Sequence, residues 1–489
     1  MIVAASPAFT ESAMDEIWRR LLQDRGYITL PLGLALSLLV TLHVLLRKRE
    51  VATSVGWIGL AWFAPVTGAI MYFLMGINRV QRRARRLRRD GRSSPSTAHD
   101  TDHQNDDGHL DALQQGIRSI TGRPLLGCNI VEVFQDGEEA YKPMLVAIET
   151  ATRSIGLSSY IFRNDVWGNR FIDALNAAQA RGVAVRVLID GIGGGWLRSP
   201  AYHHLRRHSV PAARFLHSLL PWRMPFLNLR SHKKILVIDG IIGFTGGINI
   251  GDENVMSTSP RAPVQDTHFC IRGPVISQLS EVFAQDWLFA TEEMLDGEVW
   301  FPELADAGGK VSSRVIDSGP DEDVEKIEFA MLQAVACARD SVAIMTPYFL
   351  PDDRLVTALS LATMRGVSVD VVIPEKGNHK IVDWATRANI GPLLSDGVRV
   401  WLCPPPFRHS KIMIVDHNWV LIGSCNWDIR SFRLNFELCV ESYDTHLAAS
   451  LSNFIMRCRG SQLTELDLMT RSLPTRLRDA AARLALPYL

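Results

Sequence analysis

Two segments of the chain share one pattern: HKKILVID at residues 232–239 and HSKIMIVD at residues 409–416. Both read HxKxxxxD, and in each copy a glycine follows fourteen residues after the histidine and an asparagine seventeen residues after it. These glycines and asparagines are Gly246, Gly423, Asn249 and Asn426. Positions that recur at the same spacing indicate a duplicated structural unit.

A second pair of segments extends the repeat: ALNAAQARGVAVRVLI at residues 174–189 and ALSLATMRGVSVDVVI at residues 358–373. Each has the pattern of an amphipathic helix, a glycine at the end of that helix, and a β-branched strand. Strands that alternate with helices predict an α/β sheet with helices on its faces. The predicted fold is therefore α/β, with one domain at residues 110–310 and a second at residues 311–460.

The composition of the 489 residues excludes some classes of protein. Lys and Arg number 52, Asp and Glu also number 52, and 47% of the residues are hydrophobic. The chain is therefore neither basic nor acidic throughout, and it can bury sizeable cores. Its seven cysteines are scattered and form no CxxC pair, so we predict reduced thiols, without a disulfide framework or a thiolate zinc site.

The N-terminal region, residues 1–92, contains two long uncharged stretches. Residues 27–46 lack charged side chains and would form about 30 Å of helix, which is the thickness of a bilayer core. A second such stretch covers residues 51–78. We predict a membrane hairpin with spans at about 27–46 and 54–77. A cleaved signal peptide is the alternative for the first span, but 26 residues precede it and no small-residue cleavage site follows.

The predicted orientation of the hairpin rests on basic residues. Eight arginines follow the second span: Arg79, Arg82, Arg83, Arg85, Arg86, Arg88, Arg89 and Arg92. With three more before the first span they outnumber the three basic residues of the turn. This bias predicts that the flank, and with it the domains at residues 110–460, lies in the cytoplasm. The run also suits anionic lipid headgroups. A topology signal alone explains it equally well.

Three further segments are predicted from composition. Residues 93–109 are polar and acidic, so we expect a solvated flexible linker, in which three histidines could bind metal loosely. The apolar stretch at residues 219–226 is placed near a lipid entrance, with a buried loop as the alternative. Residues 461–489 form an amphipathic tail that lies in the membrane interface or packs on the core of the protein itself.

The duplicated motif predicts a site for a phosphodiester. Side chains two apart on a strand share a face, so His232 lies with Lys234 and His409 with Lys411. Lysines and amides can stabilise the phosphate oxygens, while one neutral imidazole attacks phosphorus and the other, protonated, assists the leaving alcohol. An imidazole pKa of about 6.5 allows both forms. No metal or cofactor is expected, because the lysines supply the positive charge.

These motifs resemble those of the phospholipase D superfamily, and in particular its bacterial cardiolipin synthases. The resemblance rests on GGIN at residues 246–249 and GSCN at 423–426, beside the two HxKxxxxD motifs. FTGGINIGDE at 244–253, DTHFCIRGP at 266–274, RSFRLNFE at 430–437 and the N-terminal hairpin extend it. It implies two phospholipase D-like domains related by a pseudo-twofold axis.

The resemblance also implies a role for each site residue. A phosphatidyl group would pass from one phosphatidylglycerol to a histidine, with release of glycerol, and then to a second phosphatidylglycerol, giving cardiolipin. His232 would be the nucleophile and His409 the acid and then the base. The phosphate-binding set would be Lys234, Lys411, Asn249, Asn426, Gly247 and Ser424, the carboxylates that orient the histidines would be Asp266 and Glu437, and the motif aspartates Asp239 and Asp416 complete the catalytic set but look structural.

Several alternatives stay open at the level of sequence. A phospholipase D-type hydrolase would use water as the acceptor, and a phosphatidylserine synthase-like enzyme would use a CDP-diacylglycerol donor. The second lipid could be phosphatidylethanolamine, and a lipid-binding protein without activity is a third class. A nucleic-acid substrate is disfavoured by the hairpin and by the zero net charge. The expected location is the inner membrane of a bacterium, multi-pass, among anionic lipids. No sequence feature indicates an oligomeric state.

Overall fold

The computed structural model describes residues 29–47, 51–76, 108–217, 229–304, 306–320 and 324–484. These residues belong to two units, one formed by the N-terminal helices and one by the α/β part of the chain. The predicted arginine run, nearly all of the linker and the apolar stretch at 219–226 lie outside the described residues. The proposals made for them stay predictions.

The described residues of the N-terminal unit form three helices. Helix α1, Thr29–Arg47, is long and apolar enough to cross a membrane. The second predicted span consists of α2, Val51–Phe63, and α3, Pro65–Met71, followed by a π-helical turn. The helix is interrupted between them because proline disfavours the helical region for the residue before it, and Ala64 has φ −138° and ψ 74°.

The helices of this unit pack against each other. Val40 and Val44 of α1 are buried in one cluster with Trp57 and Ala61 of α2. The hydroxyl of Ser37 donates a hydrogen bond of 2.6 Å to the carbonyl of Ala61. A small polar side chain that bonds to a neighbouring backbone is a common contact between membrane helices. The predicted helical hairpin is therefore present, with an interrupted second arm.

The first half of the α/β unit contains nine strands and five helices among its described residues. Its elements are α4 (Asp111–Thr121), β1 (Leu126–Gln135), α5 (Asp136–Thr150), β2 (Ser154–Ser159), α6 (Val166–Ala180), β3 (Ala184–Asp190), α7 (Pro200–Arg207), β4 (Ala212–Phe215), β5 (Arg230–Ser231), β6 (Ile235–Ile238), β7 (Ile242–Gly246), β8 (Val264–Gln265), β9 (Thr267–Arg272) and α8 (Ile276–Thr291). Two 3₁₀ turns lie between β7 and β8.

The second half has a matching series of elements. They are β10 (Val311–Ser318), α9 (Lys326–Cys337), β11 (Ser341–Met345), β12 (Phe349–Leu350), α10 (Asp353–Met364), β13 (Ser368–Pro374), α11 (Lys380–Asn389), α12 (Gly391–Ser395), β14 (Arg399–Cys403), β15 (Phe407–Arg408), β16 (Ile412–Val415), β17 (Trp419–Gly423), β18 (Trp427–Asp428), α13 (Ile429–Arg433), β19 (Asn435–Tyr443), α14 (Thr445–Arg457), β20 (Gln462–Leu463), α15 (Glu465–Met469) and α16 (Leu473–Arg483).

One sheet runs through both halves. Its strand order is β20-β14-β13-β11-β16-β17-β19-β10-β1-β9-β7-β6-β2-β3-β4, with β5 beside β19. From the antiparallel pair of β1 and β10 outward, the two halves place corresponding strands in the same order. The pseudo-twofold axis therefore passes between β1 and β10. This order confirms the prediction of two tandem α/β domains.

The repeated helix–strand segments have the predicted conformations. Residues 174–189 cover the end of α6 and most of β3, and residues 358–373 cover the corresponding parts of α10 and β13. Gly182 and Gly366 follow these helices with φ of 93° and 89°. Glycine is favoured there because a side chain disfavours a positive φ. The two glycines let each chain turn directly from helix to strand.

The start of the α/β unit packs with the second half. Leu110, Leu113 and Ile117 of the α4 region are buried in the core that also contains the side chains of α9 and β11. His109 Nε2 lies 2.9 Å from Asp416 Oδ2. His109 was predicted to be part of the solvated linker, and its contact with a buried carboxylate corrects that prediction. The linker prediction applies only to the residues before it.

The C-terminal tail packs on the protein along one face. Ala482 of α16 is buried in a cluster with Val382 and Ala385 of α11. Leu473 and Leu477 of the same helix are 66% and 63% exposed. The side of α16 that faces α11 therefore packs on the core of the protein. This is one of the two alternatives that the sequence left open.

A buried ion pair joins β10 to β19 beside the pseudo-twofold axis. Arg314 Nε donates to Glu441 Oε1 over 2.5 Å, and neither side chain is exposed. Arg314 also donates to the carbonyls of Gln114 and Arg123, and the Trp419 indole donates to the second oxygen of Glu441. Each charge is therefore satisfied without water.

We expect Arg314→Met to lower the free energy of unfolding by about 3–5 kcal/mol, because the variant leaves the Glu441 carboxylate buried without its partner. Chemical denaturation of the detergent-solubilised protein, followed by tryptophan fluorescence, measures this change. The double variant Arg314→Met/Glu441→Leu should recover most of the loss, since no buried charge is left. A loss below about 1 kcal/mol in the single variant contradicts this role for the pair.

Candidate active site

The two motif histidines are held by strands that pair across the halves. Strand β5 precedes His232 and runs parallel to the start of β19, while β15 precedes His409 and runs parallel to β8. The His232 N–H donates to the Phe436 carbonyl over 2.8 Å, and the His409 N–H donates to the Gln265 carbonyl over 2.7 Å. Each histidine is therefore anchored to the other half of the molecule.

A carboxylate follows each of these carbonyls and contacts the same imidazole. Glu437 Oε2 lies 3.0 Å from His232 Nδ1, and Asp266 Oδ2 lies 2.7 Å from His409 Nδ1. The sequence order places each carboxylate after the histidine of its own half, whereas the contacts are exchanged between the halves. When His232 donates its Nδ1–H to Glu437, its Nε2 keeps the lone pair and the carboxylate fixes the orientation of the ring.

The two imidazoles face one cavity. Their ring centroids are 6.3 Å apart with an angle of 83° between the planes, and His232 and His409 are 7% and 8% exposed. The cavity has a volume of about 970 Å³, and its lining includes both histidines together with residues from both halves. The site is therefore composite, and neither half contains a complete one.

The motif lysines lie beside the histidines of their own motifs, as the strand spacing predicted. Lys234 Nζ donates to the His232 carbonyl over 2.7 Å, and Lys411 Nζ donates to the His409 carbonyl. Lys411 Nζ also lies 3.7 Å from Asp266 Oδ2. The two lysines are 2% and 4% exposed, so their charges act in a medium of low polarity, where electrostatic interactions are strong.

Burial lowers the pKa of both imidazoles. For His409 the pKa falls to about 3, because burial and the Lys411 ammonium outweigh Asp266. For His232 burial also outweighs Glu437, and the pKa lies below its usual range. Both imidazoles of the ligand-free protein are therefore neutral at neutral pH, unlike the mixture inferred from the reference pKa. An entering phosphate raises these pKa values, because its negative charge favours the imidazolium form.

The pH dependence of the reaction should report on Lys234. Burial, followed by the charge of Lys411, lowers the pKa of Lys234 to about 7, so the free enzyme loses this positive charge as the pH rises through that value. We therefore expect kcat/KM to fall on the alkaline side, starting near pH 7, because the deprotonated amine no longer attracts phosphate.

Initial rates at low substrate between about pH 5 and 10 test this. Lys234→Arg keeps its proton at these pH values and should move the alkaline limb of its residual activity upward by more than about one pH unit. Lys233→Arg is the matched control, because Lys233 is paired with Asp286 at 2.9 Å. The alkaline limb of the pH–rate profile of this variant should stay in place. If the alkaline limb of the pH–rate profile is unchanged in Lys234→Arg, the fall in kcat/KM comes from the titration of another group.

The predicted asparagines both line the cavity. Asn249 Oδ1 accepts the N–H of Ile161 over 3.2 Å, which fixes the amide plane. Asn426 Nδ2 contacts Ser431 Oγ at 3.3 Å, and its Oδ1 has no hydrogen-bond partner among the described residues. A buried polar atom without a partner is costly, so the cavity wall has hydrogen-bonding capacity left for a ligand.

Gly247 and Ser424 adjoin the two carboxylates. Ser424 Oγ donates to Glu437 Oε2 over 2.5 Å. Asp266 lies so close to the Cα of Gly247 that a side chain at that position has no room. Both residues therefore support the carboxylates that contact the imidazoles. Their contact with phosphate stays a prediction.

The motif aspartates are not part of the cavity lining, and their place in the catalytic set stays a prediction. Asp239 accepts the backbone N–H groups of residues 152–154, just before β2, and Asp416 accepts those of residues 339–341, just before β11. Burial alone would raise the pKa of each carboxyl, but these donors outweigh it and lower the pKa. The structural interpretation of both residues agrees with these contacts.

Several residues of the cavity wall were missed in the sequence. The Tyr160 ring lies 5.0 Å from the His232 ring, and the Tyr348 ring lies 6.0 Å from the His409 ring. Both tyrosines could have been found in the sequence, because SYIF at 159–162 and PYFL at 347–350 are similar and lie at corresponding places in the two halves. Arg230 and Arg430 also line the cavity.

All seven cysteines lie in the described part of the chain and are free, and five of them are buried. Within the described ranges no group of three or more His, Cys, Asp or Glu side chains is arranged to hold a metal ion.

Comparisons with known proteins agree with this fold. Residues 144–287 and 331–458 match the family described as "Cardiolipin synthase, PLD-like domain", and residues 35–76 match "Phospholipase D-nuclease N-terminal". A cardiolipin synthase of Alkalihalophilus pseudofirmus is 32% identical over 486 residues, which is 95% of this chain and 96% of the relative. The major cardiolipin synthase of Bacillus subtilis is 31% identical over 480 residues, 94% of this chain and 99% of the relative.

A solved structure shows the same fold at lower identity. The phosphatidylserine synthase of Haemophilus influenzae superposes with a TM-score of 0.59 at 14% identity, covering 77% of this chain and all of that one. The duplicated sheet and the paired motifs thus define an enzyme of the phospholipase D superfamily, in its phosphatidyltransferase class. Within that superfamily the chain belongs to the cardiolipin synthase family.

Proposed function

We propose that this enzyme transfers a phosphatidyl group from one phosphatidylglycerol to another, forming cardiolipin and glycerol through a phosphohistidine at His232. The observation that carries the proposal is the pair of imidazoles in one cavity, 6.3 Å apart, each with Nδ1 at a carboxylate of the other half. Two imidazoles on opposite sides of one phosphorus suit a reaction in two displacements.

In the first step His232 Nε2 attacks the phosphorus of the donor lipid. The bond between phosphorus and the headgroup oxygen breaks, and the glycerol oxygen takes a proton from His409, which the bound phosphate has rendered cationic. Lys234 and Lys411 stabilise the negative charge that develops on the other phosphate oxygens. Glu437 accepts the Nδ1–H of His232 and stabilises the charge that this imidazole gains.

The environments of the two histidines support His232 as the nucleophile. The Lys411 ammonium lies 2.7 Å from His409 Nδ1 and 3.3 Å from His409 Nε2, so a positive charge borders the ring that would attack. The Lys234 ammonium instead donates to the backbone carbonyl of His232. A nearby cation withdraws electron density and reduces nucleophilicity, so the His232 ring is the better nucleophile.

In the second step the terminal hydroxyl of a second phosphatidylglycerol attacks the phosphohistidine. His409, now neutral, takes the hydroxyl proton, and the bond between His232 Nε2 and phosphorus breaks. The product is cardiolipin, and the starting protonation state is restored. The same residues thus serve both steps with reversed proton transfer.

The proposed location is the inner membrane of a bacterium. The apolar helix α1 and the packed helices α2 and α3 support a multi-pass anchor, and the eleven flanking arginines support catalytic domains on the cytoplasmic side. Anionic phosphatidylglycerol is then available in the leaflet that the arginines contact.

Incubation of the purified enzyme with headgroup-labelled and acyl-labelled phosphatidylglycerol, in detergent with a chelator, tests the proposal. We expect labelled glycerol and cardiolipin in equal amounts. Phosphatidic acid as the main product would identify a hydrolase, and absence of turnover would identify a lipid-binding protein. A parallel reaction with labelled phosphatidylethanolamine reports whether that lipid serves as acceptor.

A further inference from the structure

The cavity departs from its own pseudo-twofold symmetry in charge. Two residues before the motif histidine, the first half has Arg230 and the second half has Phe407. Four residues after the motif asparagine, the second half has Arg430 and the first half has Glu253. All four side chains line the cavity. Both departures add a guanidinium, and neither is needed for a reaction that involves only one phosphate.

The two arginines lie together, beside His232. Arg230 precedes His232 on β5, and both guanidiniums interact with the Tyr160 hydroxyl, whose ring contacts the His232 ring. Both side chains line one cavity with His232, and after burial the charge of Arg230 is the main cause that lowers the pKa of Arg430. An anion between them would relieve this repulsion.

At the two corresponding positions the second half has Phe407 and the first half has Glu253, so neither carries a guanidinium. Phe407 and Tyr348 pack together with ring centroids 6.3 Å apart. Glu253 is neutralised by Arg163, whose Nε lies 3.2 Å from Glu253 Oε1. The unequal walls imply that the cavity accepts two different groups, one of them anionic.

The acids that face the two guanidiniums are already hydrogen-bonded to the backbone. Asp190 accepts the N–H groups of Ile192, Gly193 and Ser231, and it is not part of the cavity lining. Asp428 accepts the N–H of Ser431 over 2.6 Å, and burial raises its pKa to about 6. Asp190 moderates the positive charge from outside the cavity lining, whereas Asp428 borders the cavity together with the two guanidiniums.

A neighbouring amide adds polar capacity at the same place. Asn435 is paired with Arg230 in the register of β5 and β19 and lines the cavity. It is 5% exposed, and its Oδ1 has no hydrogen-bond partner among the described residues. An acceptor atom of this kind suits a hydroxyl group of a polar ligand.

We propose that Arg230 and Arg430 form a binding site for a second phosphodiester, that of the acceptor lipid. The inference rests on the proposed function and deepens it. In phosphatidylglycerol three carbon atoms separate the attacking hydroxyl from the phosphodiester, so that phosphate must lie close to the reacting phosphorus. Guanidinium groups bind phosphate oxygens in pairs and would hold the acceptor with its hydroxyl directed at the phosphohistidine.

The experiment compares two acceptors with one donor. The full-length enzyme is supplied with phosphatidylglycerol in detergent micelles, with and without ethanol, and the formation of cardiolipin and of phosphatidylethanol is measured. Ethanol has no phosphate, so Arg430→Gln and Arg230→Gln should each reduce cardiolipin formation at least about tenfold more than phosphatidylethanol formation. The loss should be largest at low phosphatidylglycerol concentration.

Arg163→Gln is the matched control, because it removes one positive charge from the same cavity at the side of Glu253. Its ratio of the two products should stay within about twofold of that of the wild type. Equal losses of both products in both arginine variants, or an equal change of the ratio in Arg163→Gln, would overturn the proposed binding site. Failure of the wild type to form either product would instead overturn the proposed function.

Discussion

Replacing His232 with alanine is expected to lower the rate of cardiolipin formation by about 10⁴-fold or more. The variant removes the atom that attacks phosphorus, and no other described side chain within the cavity is placed opposite His409 to substitute for it. The measurement is the initial rate of cardiolipin formation from labelled phosphatidylglycerol.

The control for this variant is His208→Ala, since His208 is exposed at the end of α7 and is not part of the cavity lining. It should retain the wild-type rate within about twofold. Circular dichroism should show the same helix content in both variants, because the His232 side chain contributes little to the core. A near-normal rate in His232→Ala would exclude this residue as the nucleophile.

Glu437→Gln is expected to lower the rate by about 10²–10⁴-fold. The substitution keeps the shape of the side chain, but an amide can present its NH₂ group to Nδ1 and so select the wrong tautomer of the imidazole. Because Glu437 contacts His232 and not His409, the effect should fall on His232. Asp266→Asn should act in the same way on His409.

Each carboxylate contacts the histidine of the other half, so each variant should affect one histidine only. A general loss of structure would affect both. The rate at which diethyl pyrocarbonate modifies each histidine can be mapped by mass spectrometry as a function of pH. Glu437→Gln should shift the profile of His232 and leave that of His409 in place, while Asp266→Asn should do the reverse. The opposite assignment would contradict the exchanged contacts.

Much of the architecture could be predicted because the chain is duplicated. The repeated helix, glycine and strand predicted α/β domains, and the period of two within each motif predicted that histidine and lysine share a face. The long stretch without charged side chains at residues 27–46 predicted helix α1. The break at Pro65 could also have been predicted from the residue type, because proline disfavours helix at the position before it.

The exchanged contacts could not be predicted from local patterns. They depend on the pairing of β5 with β19 and of β15 with β8, between residues more than 140 positions apart. The packing of α4 against the core of the second half also joins residues that are far apart in the sequence. The lowered pKa of His409 follows from burial beside Lys411, which only the folded structure brings about. The pair of Arg230 and Arg430 is likewise formed by two distant segments.

The most direct measurement is to trap the covalent intermediate. Wild-type enzyme and His409→Ala are mixed with ³²P-labelled phosphatidylglycerol, quenched within one turnover at alkaline pH, where phosphohistidine is stable, and digested for mass spectrometry. The account predicts a phosphatidyl group on His232 in the wild type. In His409→Ala the fraction of labelled enzyme should be larger if the loss of the base slows the second step more than the first. Label on His409 in the wild type, or cardiolipin formation without labelled enzyme, would contradict it.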